Sequence, residues 1–135
     1  MKIGIKGTKV IQVTNEMTAK AMGSGELEVY ATPAMISLME NTAYTSVADY
    51  LEEGEGTVGT LMNVKHLSAT PVGMEVRCES ELVEIDKRRL VFNVKAYDKV
   101  GCIGEGTHER FIINNDKFMN KTKSKGNLWL YNKKS

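Results

Sequence analysis

The sequence is short of several features that would assign a class at once. It has only two cysteines, Cys78 and Cys102, and a net charge of +1. That is too few cysteines for a disulfide framework, and without a secretory signal they favour a reducing, cytoplasmic location. The small net charge gives no strong field for nucleic acid or an anionic membrane. No segment approaches the roughly 18 consecutive apolar residues of a membrane span, so we expect neither partner.

Repeats, linkers and common cofactor motifs are also missing. There is no Walker loop, no GxGxxG after a strand and no GxSxG elbow. The two histidines and two cysteines, at positions 66, 78, 102 and 108, lack the short paired spacings of a zinc site. We therefore expect no metal and no cofactor. The chain is expected to form a single domain over residues 1–135, with a core of about 8–122 and a solvated basic tail at 123–135.

What the sequence does contain is one long amphipathic helix pattern surrounded by strand patterns. Pro33 suits a first helical turn and Thr32 suits a cap, so a helix is predicted from Pro33 to about Leu51. "NNDKFMNKTK" predicts a short terminal helix. Short, turn-like breaks between the later strands favour antiparallel neighbours and an α+β fold, a curved sheet packed on the long helix. The predicted strands are Thr8–Thr14, Thr57–Ser68, Met74–Ile85, Arg89–Tyr97 and Cys102–Ile113.

A carboxylate interrupts the apolar face of that helix. At about 100° per residue, Glu40 falls within the stripe of Ile36, Ala43 and Val47, and Thr32 falls near the same side. A buried carboxylate is costly unless it is paired. Glu40 is therefore either one member of a polar group in the core or a residue at the edge of the stripe that reaches solvent.

A histidine is predicted on the layer that faces this helix. His66 points inward if the strand alternates strictly, which makes it either a core histidine or a partner for Glu40. With the Thr32 hydroxyl, these two residues form a set suited to acid–base chemistry. The residues on the predicted inward face are Val58, Thr60, Met62, Val64 and His66.

Two further residues complete the candidate site. Gly59 within a strand indicates either close approach of another group, with an N–H available to an oxyanion, or a simple bend. Arg110 shares a strand face with His108. It can pair with a buried acid or bind an anionic or carbonyl-bearing ligand, or it can form a cross-strand ion pair at the surface.

Four segments together resemble a known family. "YATPAMISLMENTA", "GEGTVGTLMNVKHLSATPVGMEV", "RRLVFNVKAYD" and "IGEGTHERFII" are similar to the fluoroacetyl-CoA thioesterase-like branch of the hotdog-fold acyl-CoA thioesterases, over roughly Val29 to Lys121. The resemblance implies a hotdog fold, a homodimer with two active sites at the subunit interface, and hydrolysis of an acyl-CoA thioester. The alternatives are a non-catalytic acyl-CoA-binding hotdog domain and an acyl-CoA hydratase or dehydratase.

The resemblance also implies which residues act. Thr32, Glu40 and His66 match the family's catalytic residues, and Gly59 and Arg110 match residues near the thioester. His66 would be a general base or acid, and Glu40 would activate water or attack the carbonyl carbon. Fluoroacetyl selectivity is not expected to carry over. The segment before the threonine, "AMGSGELEV", has no aromatic lid residue, so a short-chain or otherwise general acyl-CoA is the predicted substrate.

Overall fold

The structure is a computed structural model and describes residues 1–134. Its five strands form one antiparallel sheet in the order β1-β3-β4-β5-β2. The strands are β1 Lys6–Gln12, β2 Glu55–His66, β3 Glu75–Asp86, β4 Arg89–Tyr97 and β5 Cys102–Asn114. The helices are α1 Ala19–Met22, α2 Thr32–Val47 and α3 Asn115–Lys134, with 3₁₀ turns at Asn15–Met17 and Ala48–Tyr50.

The predicted α+β layout is confirmed. Helix α2 packs on one face of the sheet, chiefly over β1, β3 and β4, while β2 and β5 receive less cover. Short turns join β3, β4 and β5, which is why these strands are antiparallel neighbours. The core lies between α2 and the inner face of the sheet. Its largest fully buried side chains include Tyr30, Met35, Met39, Leu82, Leu90 and Phe92.

The ends of the helices differ from the prediction. Helix α2 is followed by a 3₁₀ turn at Ala48–Tyr50, short of Leu51. Helix α3 is about twice as long as the predicted terminal helix, and every described residue from 116 to 134 is exposed. The basic tail is therefore helical through Lys134, and Ser135 lies outside the described residues. None of the helices in residues 1–134 has the length and apolarity that a membrane span requires.

Strand β2 contains a bulge that the alternation rule did not anticipate. Gly59 pairs with Arg110 and Leu61 pairs with the preceding residue of β5, which leaves Thr60 as the extra residue. A bulge reverses the alternation on one side of it. Thr57 and Gly59 therefore share the inner face with His66, whereas Thr60 is exposed and bonds Glu109 on the outer face. The inward placement predicted for Thr60 is wrong for this reason.

Candidate active site

Thr32 and His66 form a direct pair at one end of the helix. Thr32 Oγ1 and His66 Nδ1 lie 2.8 Å apart. Thr32 is the first residue of α2 and His66 is the last residue of β2, so the two elements meet at these ends. The predicted capping role of Thr32 is wrong. Ala31 is the N-cap residue, and alanine has no side-chain oxygen to cap the helix, while the Thr32 hydroxyl contacts the imidazole instead.

The other ring nitrogen of His66 has no partner within the described residues. Its Nε2 atom is buried and makes no hydrogen bond. The ring stands edge-on to Tyr30, with centroids 6.5 Å apart. Burial lowers the pKa of His66 below its ordinary value, and the nearby Ser68 backbone opposes that shift. The imidazole is therefore neutral near pH 7, with one nitrogen available to another group.

Glu40 lies at the edge of the buried face of α2. Its side chain is 43% exposed, and one carboxylate oxygen lies 3.6 Å from Nη1 of Arg110. The predicted phase of the stripe, centred on Ile36, is wrong. The buried face follows Met35, Met39 and Ala43, and Ile36 is only half-buried. Glu40 is therefore turned away from the helix–sheet core, toward the side where β2 and β5 lie.

Arg110 is buried and held from several directions. Its Nε donates to Thr57 Oγ1 at 2.8 Å, and its Nη2 donates to the Thr57 carbonyl at 2.9 Å. Nη1 lies 3.1 Å from His108 Nε2, and the Tyr44 ring covers the guanidinium at 5.4 Å. Burial lowers the pKa of Arg110, and the charge of Glu40 opposes that shift. Arg110 thus pairs with a helix carboxylate, one of the roles left open for it above.

Gly59 brings the backbone of β2 close to this ion pair. A Cβ at this position would lie 3.0 Å from Glu40 Oε2 and 3.2 Å from both Arg110 Nη1 and His108 Cε1. A side chain here would press on all three groups. Both expectations for Gly59 therefore apply, since it sits beside a bulge and permits a close approach.

These residues form two clusters within one chain. The Thr32 cluster consists of Thr32 and His66, and the Glu40 cluster consists of Glu40, Gly59, Thr57, His108 and Arg110. Thr32 and Glu40 are eight helical residues apart, about 12 Å along the axis. Gly59 and His66 are separated by roughly 23 Å of strand. A single chain brings Thr32 to His66 and Glu40 to Arg110, but it does not bring the two pairs together.

A cleft of about 290 Å³ opens beside the Thr32 cluster. Small and short side chains form much of its wall, among them Ala19, Ser24, Ser68 and Ala69. The adjoining residues 23–27 are all exposed. No bulky aromatic side chain from that segment closes the mouth of the cleft. Elsewhere in residues 1–134, no three His, Cys, Asp or Glu side chains converge where they could hold a metal ion.

Three residues in or beside the Glu40 cluster had no predicted role. Thr57 binds the guanidinium, Tyr44 covers it and His108 contacts it. The alternation of β5 had placed His108 on the same face as Arg110, and that was an available signal. The inward direction of Thr57 could not be predicted because it depends on the bulge in β2. Tyr44 lies one helical turn after Glu40, so its place beside Arg110 could be predicted only with the correct phase of α2.

Comparison with known proteins gives a consistent result. The family model described as fluoroacetyl-CoA-specific thioesterase matches residues 13–116. A fluoroacetyl-CoA thioesterase of Streptantibioticus cattleyicolor is 46% identical over 98 residues, covering 73% of this chain and 70% of that protein.

Solved structures agree with that match. A mutant of the fluoroacetyl-CoA-specific thioesterase, in complex with fluoroacetate and CoA, superposes with a TM-score of 0.83 at 39% identity, covering 87% of this chain and 99% of that one. A thioesterase superfamily member from Thermus thermophilus has a TM-score of 0.89 at 29% identity, covering 96% of each chain. The predicted hotdog architecture is thereby confirmed.

Proposed function

The chain belongs to the fluoroacetyl-CoA-specific thioesterase family, and from that premise we propose that it hydrolyses short-chain acyl-CoA thioesters at sites assembled from two copies. Water supplies the oxygen that bonds to the thioester carbonyl carbon, and the carbon–sulfur bond breaks. The products are the free acid and the thiol of CoA. A relative in this family has been crystallised with CoA, which supports CoA as the carrier of the acyl group.

The observation that carries the two-copy proposal is the separation of the two clusters. The Glu40 cluster holds a carboxylate, a glycine and a guanidinium within contact distance. The Thr32 cluster holds a neutral histidine whose buried Nε2 has no partner among residues 1–134. Each cluster lacks what the other has. Ester-type hydrolysis requires both a group that activates the nucleophile and a group that transfers a proton.

A two-fold axis at the free edge of β2 would unite the clusters. Strand β2 is an edge strand, and the midpoint between Gly59 and His66 lies between Met62 and Asn63. Antiparallel pairing of two β2 strands about that midpoint sets Gly59 of each copy opposite His66 of the other. The Glu40 cluster of one copy then faces the Thr32 cluster of the second, which gives two equivalent sites per dimer.

The surface around β2 supports a partner at this edge. An unpaired edge strand presents free N–H and C=O groups to another strand. Leu61 is 55% exposed and Leu67 is 53% exposed on β2 or directly after it, and Tyr44 of α2 is also exposed. Helix α2 lies mainly over the other half of the sheet. A second copy would cover these apolar groups and extend the sheet to ten strands.

The proposed roles follow from the chemistry of each group. Glu40, oriented by Arg110, activates water or attacks the carbonyl carbon directly. The Gly59 N–H binds the carbonyl oxygen as negative charge develops on it. His66 of the second copy, held by Thr32, transfers a proton to the leaving sulfur or takes one from water. Single turnover in ¹⁸O-water distinguishes the two roles of Glu40, because direct attack places label in the protein carboxylate.

The acyl group is proposed to be short because of the cleft beside Thr32. Its volume of about 290 Å³ is at the lower limit of ordinary ligand pockets. Small residues form about half of its wall, and the adjoining residues 23–27 supply no aromatic side chain to select fluoroacetyl. The thiols of Cys78 and Cys102 are both free, which supports the proposal of a reducing, cytoplasmic location.

Mixing two inactive variants tests the composite site. In Glu40→Gln and His66→Asn homodimers, both sites lack one essential group, and we expect activity to fall at least about 100-fold in each. In a heterodimer of the two, one site has both mutations and the other has neither. Random mixing of subunits makes half of the dimers heterodimers, so about one quarter of wild-type activity should return.

The matched control is a mixture of Thr32→Val with His66→Asn. Both mutations lie in the Thr32 cluster, so each heterodimer site has one defect and no activity should return.

Activity is measured as thiol release from acetyl-, propionyl- and longer acyl-CoAs. Absence of thiol release by the wild type with every acyl-CoA would favour a binding domain instead. Hydration of an enoyl-CoA without thiol release would favour a hydratase. Equal recovery in both mixtures would contradict the composite site, but it would not contradict the proposed hydrolysis.

A further inference from the structure

His108 is a second buried histidine, and the chemistry proposed above does not use it. Only 1% of its surface is exposed. Its Nδ1 lies 2.8 Å from the carbonyl oxygen of Leu61, and its Nε2 lies 3.1 Å from Nη1 of Arg110. Phe92 packs beside the ring, with centroids 6.3 Å apart. Both ring nitrogens are therefore in hydrogen-bonded contact with fixed partners.

Those two partners determine the tautomer of the ring. A backbone carbonyl can only accept a hydrogen bond, so Nδ1 must carry the proton. A guanidinium can only donate, so Nε2 must offer its lone pair. The imidazole is therefore neutral, with its proton on Nδ1. Addition of a second proton would place an N–H group against the N–H of Arg110 and break that contact.

Arg110 transmits the effect of His108 to the carboxylate. Thr57 accepts from Nε and Nη2, and His108 accepts from Nη1. The guanidinium is planar and rigid, so acceptors on three of its nitrogens fix its orientation. The remaining direction of Nη1 faces Glu40, whose Oε2 lies 3.6 Å away. The position of the carboxylate thus depends on an arginine that His108 helps to hold.

We propose that His108 is a positioning residue, which holds Arg110 through the lone pair of Nε2 and thereby sets the Glu40 carboxylate against Gly59. This inference rests on the catalytic role proposed for Glu40. His108 would not touch the substrate. Its contribution is to supply an acceptor that remains uncharged at working pH, since a cationic residue here would repel the arginine.

The charged groups around His108 come from two elements. Arg110 and Glu109 lie on its own strand, and Glu40 reaches it from α2. Burial lowers the pKa of His108 most strongly. The hydrogen bond to the Leu61 carbonyl opposes that shift, the charge of Arg110 adds to it, and the two carboxylates oppose it. The net direction is down, so the neutral form required by the hydrogen bonds is also the form present near pH 7.

A pair of amide variants separates the two hydrogen bonds. His108→Gln can place its amide oxygen near the position of Nε2 and keep an acceptor for Arg110. His108→Asn reaches only the position of Nδ1, so it keeps a donor for Leu61 and leaves Arg110 without that acceptor. We expect His108→Gln to keep kcat within about 5-fold of wild type, and His108→Asn to lose roughly 30-fold in kcat with little change in KM. Equal kcat for the two variants, at equal Tm, overturns the proposal.

The pH profile supplies a measurement that a purely structural role would not change. Protonation of His108 disrupts Arg110 in the wild type, whereas glutamine does not titrate. The acid limb of log kcat/KM should therefore be shallower in His108→Gln by up to one proton. An identical acid limb in the two enzymes overturns the proposal.

Nitrogen-15 NMR of the wild-type ring tests the arrangement without any mutation. The spectrum at pH 7 should show a neutral His108 with the proton on Nδ1. A proton on Nε2, or a charged ring, overturns the proposal even if His108→Asn fails to fold. Failure of the wild type to release thiol would instead contradict the proposed function, and the NMR measurement does not depend on that activity.

Discussion

Gly59 is where the absence of a single side chain shapes the candidate site most directly. A methyl group there would lie 3.0 Å from Glu40 Oε2 and 3.2 Å from Arg110 Nη1. The Glu40 end can move, but Arg110 is held by its acceptors and the buried His108 ring would lie 3.2 Å away at Cε1. We expect Gly59→Ala to fold with a modest loss of Tm and to lose roughly 10- to 100-fold in kcat, measured by thiol release.

Gly101→Ala is the matched control for that substitution. A Cβ at Gly101 would have nothing within 4 Å, and the residue lies in the turn before β5. Its activity and Tm should equal those of the wild type. If Gly59→Ala keeps full activity, the approach of Gly59 to the ion pair has no part in the reaction. If it unfolds, the close approach is a folding requirement instead.

Single residues show where interpretation of the sequence succeeds and where it fails. The shared face of His108 and Arg110 could be predicted because β5 alternates regularly there. The contact between Thr32 and His66 could be anticipated from helix and strand phase together. The position of Glu40 at the edge of the buried face could not be decided from the sequence. The apolar pattern of α2 is compatible with more than one centre, and the neighbouring strands determine which is used.

At the scale of elements, the bulge in β2 is the feature that periodicity could not supply. A sequence pattern counts residues along one strand, whereas a bulge is a relation between two strands. Thr60 is accommodated because its hydroxyl bonds the Glu109 carboxylate at 2.7 Å on the outer face. The same displacement turns Thr57 inward to Arg110. An irregularity of one residue thus determines which groups of β2 reach the site.

Helix α3 makes little contribution to the core, which leads to a prediction about stability. Each of its described side chains from residue 121 onward is exposed. Most helical stability in proteins comes from packing an apolar face rather than from propensity. A chain that ends at Asn120 should therefore keep its Tm within about 2 °C of the full chain by calorimetry.

The contrasting substitution is Met39→Ala in α2. Met39 is fully buried, and truncation of a buried methionine costs about 2–5 kcal/mol in the free energy of unfolding. Denaturant unfolding should show this loss. A shortened chain that is destabilised as much as Met39→Ala would mean that α3 contributes to the core in a way that exposure does not reveal.

For the whole molecule, the order of elements was predictable and the assembly of the site was not. Short turns and strong strand patterns determine an antiparallel sheet, and one long helix must cover it. The helix covers only part of the inner face, however, and leaves the β2 edge with exposed Leu61 and Leu67. The sequence placed Glu40 and His66 in one polar group. The fold separates them because they lie at different points along α2 and β2.

The two histidines give the whole molecule a specific pH dependence of stability. The pKa values of His66 and His108 both lie below the ordinary value of 6.5, chiefly because burial disfavours the charged ring. In the unfolded chain both return toward 6.5 and bind protons more readily than in the folded chain. The free energy of unfolding should therefore be highest near pH 7.5 to 8, before the unfolded Cys78 thiol ionises, and fall as the pH decreases through 6.5.

The fall should continue until the pH is below both folded pKa values. Its slope is about 1.4 kcal/mol per pH unit for each proton taken up on unfolding. Denaturant unfolding at a series of pH values from 8 to 5 measures it. His108→Gln should remove the His108 share of the slope while leaving that of His66, because glutamine binds no proton in either state.

A free energy of unfolding that stays constant from pH 8 to 5 would mean that the folded protein accepts protons on both rings as readily as the unfolded chain. The neutral ring that Arg110 requires would then not be maintained by the fold.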